Sequence, residues 1–208
     1  MHWIDPESLP AVAGTVERFV LNPHGEVDGF VMRCGPEDVL VHTPPHLEAE
    51  LVRHVTAGET VTVRAVRPRG AALLAAVAVV TRDGHRIDDR GPDKDRKHPK
   101  VEHRTMTAEG TVRLSLFGPK GELRGALLAD GTSVRIGHKE AEHIKKLLAP
   151  GSALIVRGNG LQTKHGRVIH ASEAGPTRDG LAPIKAPKPR DKPGDKPGPK
   201  RDGGSPRG

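Results

Sequence analysis

Short apolar runs, each closed by a Gly- or Pro-containing turn, organise the first part of the chain. Residues 15–21 are β-branched and apolar and predict a strand. Asn22-Pro23-His24-Gly25 sets Pro second and Gly fourth, the chemistry of a type I turn, so a hairpin returns through residues 29–33. Residues 35–38 turn again, and Val39-Leu40-Val41 predicts a third strand. Thr43-Pro44 has the residue types of a helix N-cap and first helical position. Leu47, Leu51 and Val55 then fall at helical spacing, predicting a helix through His54. Gly58 ends it, Val61-Thr62-Val63 alternates as a fourth strand, and residues 72–80 contain a fifth.

The pattern then repeats. Gly14-Thr15-Val16 recurs as Gly110-Thr111-Val112, an offset of 96 that also aligns Pro23 with Pro119, Gly25 with Gly121, Gly29 with Gly125 and Val31 with Leu127. The first copy then carries three extra residues in a turn. The offset becomes 93, aligning Val41 with Val134, Leu51 with Ile144, Val55 with Leu148 and Arg64 with Arg157. So many apolar and glycine matches across one indel establish an internal duplication. The second copy is expected to place Ile144 and Leu148 on its helix and strands at residues 153–157 and 167–171.

Three meandering strands, a short helix and two more strands resemble the five-stranded Greek-key barrel called the OB-fold, over about residues 14–81 and 110–173. Gly14-Thr15-Val16, Asn22-Pro23-His24-Gly25-Glu26 and Val41-His42-Thr43-Pro44-Pro45-His46 also resemble a group of uncharacterised bacterial proteins with two OB-like repeats. That second resemblance is closer in copy one than in copy two, which lacks the double proline, and it implies no activity. The expected fold is therefore mainly β, two five-stranded OB-fold-like barrels, each with one short helix between strands three and four. The boundaries are an N-terminal extension (1–12), barrel 1 (13–83), a charged linker (84–104), barrel 2 (105–175) and a disordered basic Pro/Gly-rich tail (176–208).

Composition agrees with small turn-rich modules: 35% of residues are apolar, and 44 of 208 are Gly or Pro. A module of this size buries only about 60% of its unfolded surface and is marginal alone. Residues 1–81 hold six basic and ten acidic side chains, net −4, and residues 105–175 hold ten and six, net +4. Opposite charges would favour packing of the copies; two solvated surfaces that never meet are the alternative. The linker adds +2 and the tail +5, so the high isoelectric point comes from outside the modules. A single Cys34 excludes an internal disulfide framework and a multi-cysteine metal site. The opening residues have no signal-peptide pattern, and no run is apolar enough for a membrane span. A cytoplasmic monomer is the expectation.

No phosphate-binding Gly loop before a helix and no nucleophile elbow occurs, so no enzyme activity, catalytic residue or cofactor is assigned. His24, His42 and His46 could meet at one barrel end and hold zinc or nickel. Their counterparts in copy two are Lys120, Arg135 and Lys139, which are not metal ligands, so no metal is assigned. What the copies share there is a cationic or cationisable donor, and Arg53 pairs with Lys146 and Arg64 with Arg157 in the same sense. Five equivalent basic positions point to anion contact, most simply phosphate; exposed basic residues in no particular arrangement are the alternative. Phe19 and Phe30 are candidate base-stacking residues, although copy two replaces them with Ser115 and Ala126. The expected function is non-catalytic binding of single-stranded DNA or RNA, phosphate-driven and salt-sensitive. The alternative is a protein–protein interaction module with the tail as tether.

Overall fold

The computed structural model describes residues 5–91 and 96–185. Barrel 1 contains β1 (Ala11–Leu21), β2 (Val27–Cys34), β3 (Glu37–His42), α1 (Glu48–His54), β4 (Thr60–Val66) and β5 (Leu73–Thr81), with β6 (Arg86–Asp88) added at its edge. Barrel 2 contains β7 (Arg104–Phe117), β8 (Leu123–Leu128), β9 (Ser133–Arg135), α2 (His138–His143), β10 (Ala153–Thr163) and β11 (Gly166–Gly175), with β12 (Ala182–Pro183) at its edge. In each barrel the first strand pairs with the second and fourth. A parallel pairing of the third and fifth strands, β3 with β5 and β9 with β11, closes the ring. That is the expected OB-like topology in both copies. No helix among the described residues is long and apolar enough to cross a membrane.

The duplication extends to the irregularities that bend the sheets. Bulges between Val16 and Arg18, Val20 and Leu21, and Arg64 and Ala65 recur at Val112/Leu114, Leu116/Phe117 and Arg157/Gly158. Such bulges increase strand twist, which a small closed barrel needs. Gly29 and Gly125 lie so close to the third strand that a Cβ at either would collide with the carbonyl of Val41 or Val134. The type I turn forms in both copies, with Gly25 N–H donating to the Asn22 carbonyl and Gly121 N–H to that of Gly118, both at 2.9 Å.

Both helices differ from the sequence pattern. Thr43 does not cap: its hydroxyl is buried and has no hydrogen-bond partner, and α1 starts only at Glu48 after a 3-10 turn over Pro45–Leu47. Pro45 disfavours the helical conformation at Pro44, which is extended with ψ 139°, and this delays the start. In copy two α2 ends at His143, and Leu147 and Leu148 bond back three residues instead of four. Leu148 is still fully buried and Ile144 still packs on the core.

The charged segment expected to be solvated contributes to barrel 1. Ile87 on β6 is fully buried in its core, and β6 pairs with β5. Further on, Arg96 Nη2 donates to Glu26 at 2.5 Å, His98 Nδ1 lies 2.8 Å from the same carboxylate, and His103 Nε2 lies 2.9 Å from the Pro23 carbonyl. A lone isoleucine among alternating charges has no periodicity to reveal it. At the other end, β12 pairs with β11 and Ile184 packs on the core of barrel 2, so residues 176–185 belong to it; residues 186–208 of the expected tail lie outside the described residues.

The barrels pack through a shared apolar cluster: Val20, Val31, Leu40 and Leu73 from the first, Leu116 and Leu127 from the second. Val20 is the repeat counterpart of Leu116, and Val31 of Leu127, so equivalent surfaces meet. The turn at Gly25 faces Leu161 and Thr163, while the equivalent turn at Gly121 faces Pro68 and Ala71. Leu161 is in turn the counterpart of Pro68. This reciprocity is the signature of a two-fold interface, here formed within one chain.

Candidate nucleic-acid interface

The opposite net charges of the copies meet at this seam. Arg113 on β7 donates Nη1 to Glu17 Oε1 at 2.5 Å and Nη2 to Asp38 Oδ2 at 2.6 Å. Glu17 is the repeat counterpart of Arg113, so the two-fold axis passes close to an acid–base pair. Hydrogen bonding by Arg113 lowers the Glu17 pKa. For Asp38, burial raises it, but the hydrogen bonds and charges of Arg113 and Arg33 outweigh that and leave it lowered. Arg113 itself is held charged by the same contacts.

A cleft of about 320 Å³ lies along the same axis and includes Pro23 and Pro119, Asp28 and Arg124, and His42 and Arg135, each a pair of repeat equivalents. Arg135, expected at an exposed anion site, is buried here. Its Nη2 donates to Asp28 Oδ1 at 2.5 Å and its Nε to the Leu21 carbonyl at 2.7 Å. Burial pushes Asp28 up to about 6 against the pull of Arg135. His42 is pushed down to about 4, first by burial and then by the Arg135 charge. At neutral pH His42 is therefore an uncharged ring beside an ion pair, not a cation facing solvent.

The remaining predicted residues are dispersed. His24 stacks on His98, ring centroids 4.2 Å apart, and His46 Nε2 lies 2.9 Å from Asp89. Each of the three histidines thus has its own partners, and among the described residues no group of three His, Cys, Asp or Glu could hold a metal ion. Arg64 pairs with Glu7 at 2.6 Å, and Arg157 lies 3.8 Å from Glu173. Arg53, Lys120, Lys139 and Lys146 are exposed and have no ion pair among the described residues. Phe30 is fully buried in the core of barrel 1 and cannot stack on a base. Phe19 is half-buried and meets His165 edge to face at 5.5 Å.

Two arginines missed by the repeat comparison, Arg18 and Arg167, line a second cleft of about 280 Å³ with Phe19. These two align with Leu114 and Leu74, so equivalence between the copies does not reveal them. No protein-family model matches the chain, and no curated protein sequence matches it.

Proposed function

We propose that the chain is a non-catalytic binding protein that holds single-stranded nucleic acid by its phosphates, with the second barrel as the binding half and the basic tail adding affinity. The observation that carries this reading is the fate of the five paired basic positions. In barrel 1, His42 is neutral and half-buried, His24 stacks on His98, and His46 and Arg64 are matched by carboxylates. That leaves Arg53 as the one exposed position of the five with no carboxylate partner among the described residues. In barrel 2, Lys120, Lys139 and Lys146 stay exposed with no carboxylate partner among the described residues. Barrels of this class take up oligonucleotides on the surface of strands two and three. Here Val31 and Leu40 on one side and Leu127 on the other are buried in the seam. Base stacking there is blocked, so the contact is backbone-driven.

Three phosphate contacts to a single strand give a slope of about −2 in log K against log salt concentration. Fluorescence anisotropy with a labelled single-stranded oligonucleotide should show that slope in the full chain, and a much shallower one in the Lys120→Ala, Lys139→Ala, Lys146→Ala triple variant. No binding at low salt, or an unchanged slope in the variant, would overturn the proposal. The covered strand surfaces favour a second reading, an interaction module for a protein partner. Nuclease-insensitive co-purification of one defined protein would support that reading instead.

A further inference from the structure

The second cleft contains two guanidinium groups that the fold leaves incompletely paired. Arg18 lies on β1, and the nearest carboxylate, Glu17, is 3.8 Å away and is engaged by Arg113. Arg167 on β11 donates Nη2 to the Thr107 carbonyl at 2.8 Å. The Nε atoms of both arginines are buried and have no hydrogen-bond partner. A buried donor without a partner is costly, so the fold by itself leaves neither guanidinium satisfied. Arg18 is fitted against Gly131: a Cβ there would collide with its Nη1.

The rest of the lining narrows the ligand. Phe19 and His165 form an aromatic wall, edge to face at an interplanar angle of 87°. His165 has its pKa lowered by burial and by Lys164, so it offers a neutral ring at physiological pH. Asp130 is the lining carboxylate, and its two oxygens accept from the Thr132 N–H at 2.8 Å and hydroxyl at 2.9 Å. Arg18 and Arg167 align with Leu114 and Leu74, so the two-fold-related position lacks both arginines and the cleft is not a by-product of the duplication.

We propose that this cleft is a phosphate-ester site, with Arg18 and Arg167 as oxyanion donors and Phe19 with His165 as the wall for the ring the ester carries. The ligand class is a nucleotide phosphate. A guanidinium presents planar paired donors to phosphate, and two of them beside an aromatic face match a phosphate and the ring attached to it. The source is either a free mononucleotide or the phosphorylated end of a strand. The site does not depend on the lysines of the second barrel, none of which lines it.

Isothermal titration of the full chain at low salt with adenosine monophosphate and with inorganic phosphate tests the proposal. Adenosine monophosphate should bind, and inorganic phosphate should bind more weakly. Arg18→Gln and Arg167→Gln should each weaken nucleotide binding by about tenfold or more, the loss of one charge-assisted contact. Phe19→Leu should weaken the nucleotide while leaving inorganic phosphate unchanged, and Arg82→Gln, exposed after β5 and outside the cleft, should alter neither. Because Arg18 sits in the seam, its variant is also checked for an unchanged melting temperature; Arg167→Gln provides the independent readout. The lysine triple variant should still bind the nucleotide, which separates this site from the strand-binding face. Competition by a 5′-phosphorylated oligonucleotide but not its unphosphorylated twin would identify a strand end as the source, and lack of competition by either a free nucleotide. No binding by the wild-type chain, or equal affinity in Arg167→Gln, would overturn the site. Equal affinity for phosphate and nucleotide would overturn the aromatic wall.

Discussion

Replacing His42 with Gln should make the seam gain stability on acidification, where in the wild type it changes little. His42 falls from 6.5 when unfolded to about 4 in the fold, so the unfolded chain binds its proton first. Stability from His42 is complete above pH 6.5 and is lost as pH falls toward 4; by about pH 4.5 the loss is about 2.5 kcal/mol. Asp28 has the reverse sign. Its rise from 3.8 to about 6 means the folded state takes up the proton first, so stability increases as pH falls through 6 toward 4. By about pH 4.5 that gain is about 2 kcal/mol. In the wild type the two nearly offset. In His42→Gln only the Asp28 contribution remains. Urea denaturation of both proteins at pH 7 and about pH 4.5 measures the effect, and repacking by Gln cancels because it enters at both pH values. The variant should gain about 2.5 kcal/mol on the wild type between the two conditions. A variant-to-wild-type difference that does not change with pH would refute the burial argument for His42.

Two further perturbations test the seam and the added strand. Arg135→Met removes the partner of buried Asp28 and should cost about 3 kcal/mol at pH 7. The cost should shrink near pH 4.5, where Asp28 is protonated; equal loss at both pH values would show that the pair does not carry charge. Ile87→Ala should cost about 3 kcal/mol in urea denaturation, because Ile87 is fully buried. A change below about 0.5 kcal/mol would mean that β6 is a surface strand, where substitutions have little effect.

The charge split at the seam explains why the two halves choose each other. If two first copies met in the same geometry, Glu17 would face Glu17; two second copies would set Arg113 against Arg113. Like charges directly opposed across an interface disfavour those pairings, and two second copies would also lack the apolar side chains of Leu40 and Leu73, which Ser133 and Gly166 replace. The apolar residues supply attraction, and the charges specify that copy one packs on copy two.

The duplication, the element order and the strands of both barrels are legible in the chain, because alternating apolar residues and turn glycines act through local geometry with periods that survive divergence. The type I turns at Gly25 and Gly121 follow for the same reason. The start of α1 differs because Thr43-Pro44 matches a capping pattern locally, while Pro45 forces Pro44 to stay extended. The pairing of Glu26 with Arg96 and His98 joins residues about 70 positions apart, and Ile87 is the lone apolar residue of a three-residue strand, so neither leaves a periodic trace. The candidate site divides in the same way. The sequence names the basic residues and their equivalences, and even the opposite charges of the copies. Only the tertiary structure decides that Arg135 serves the seam while Lys139 faces water, and that Arg18 and Arg167, 149 positions apart, share one cleft. A side chain's charge is a local property, but whether a carboxylate, a carbonyl or solvent answers it depends on how two distant segments pack.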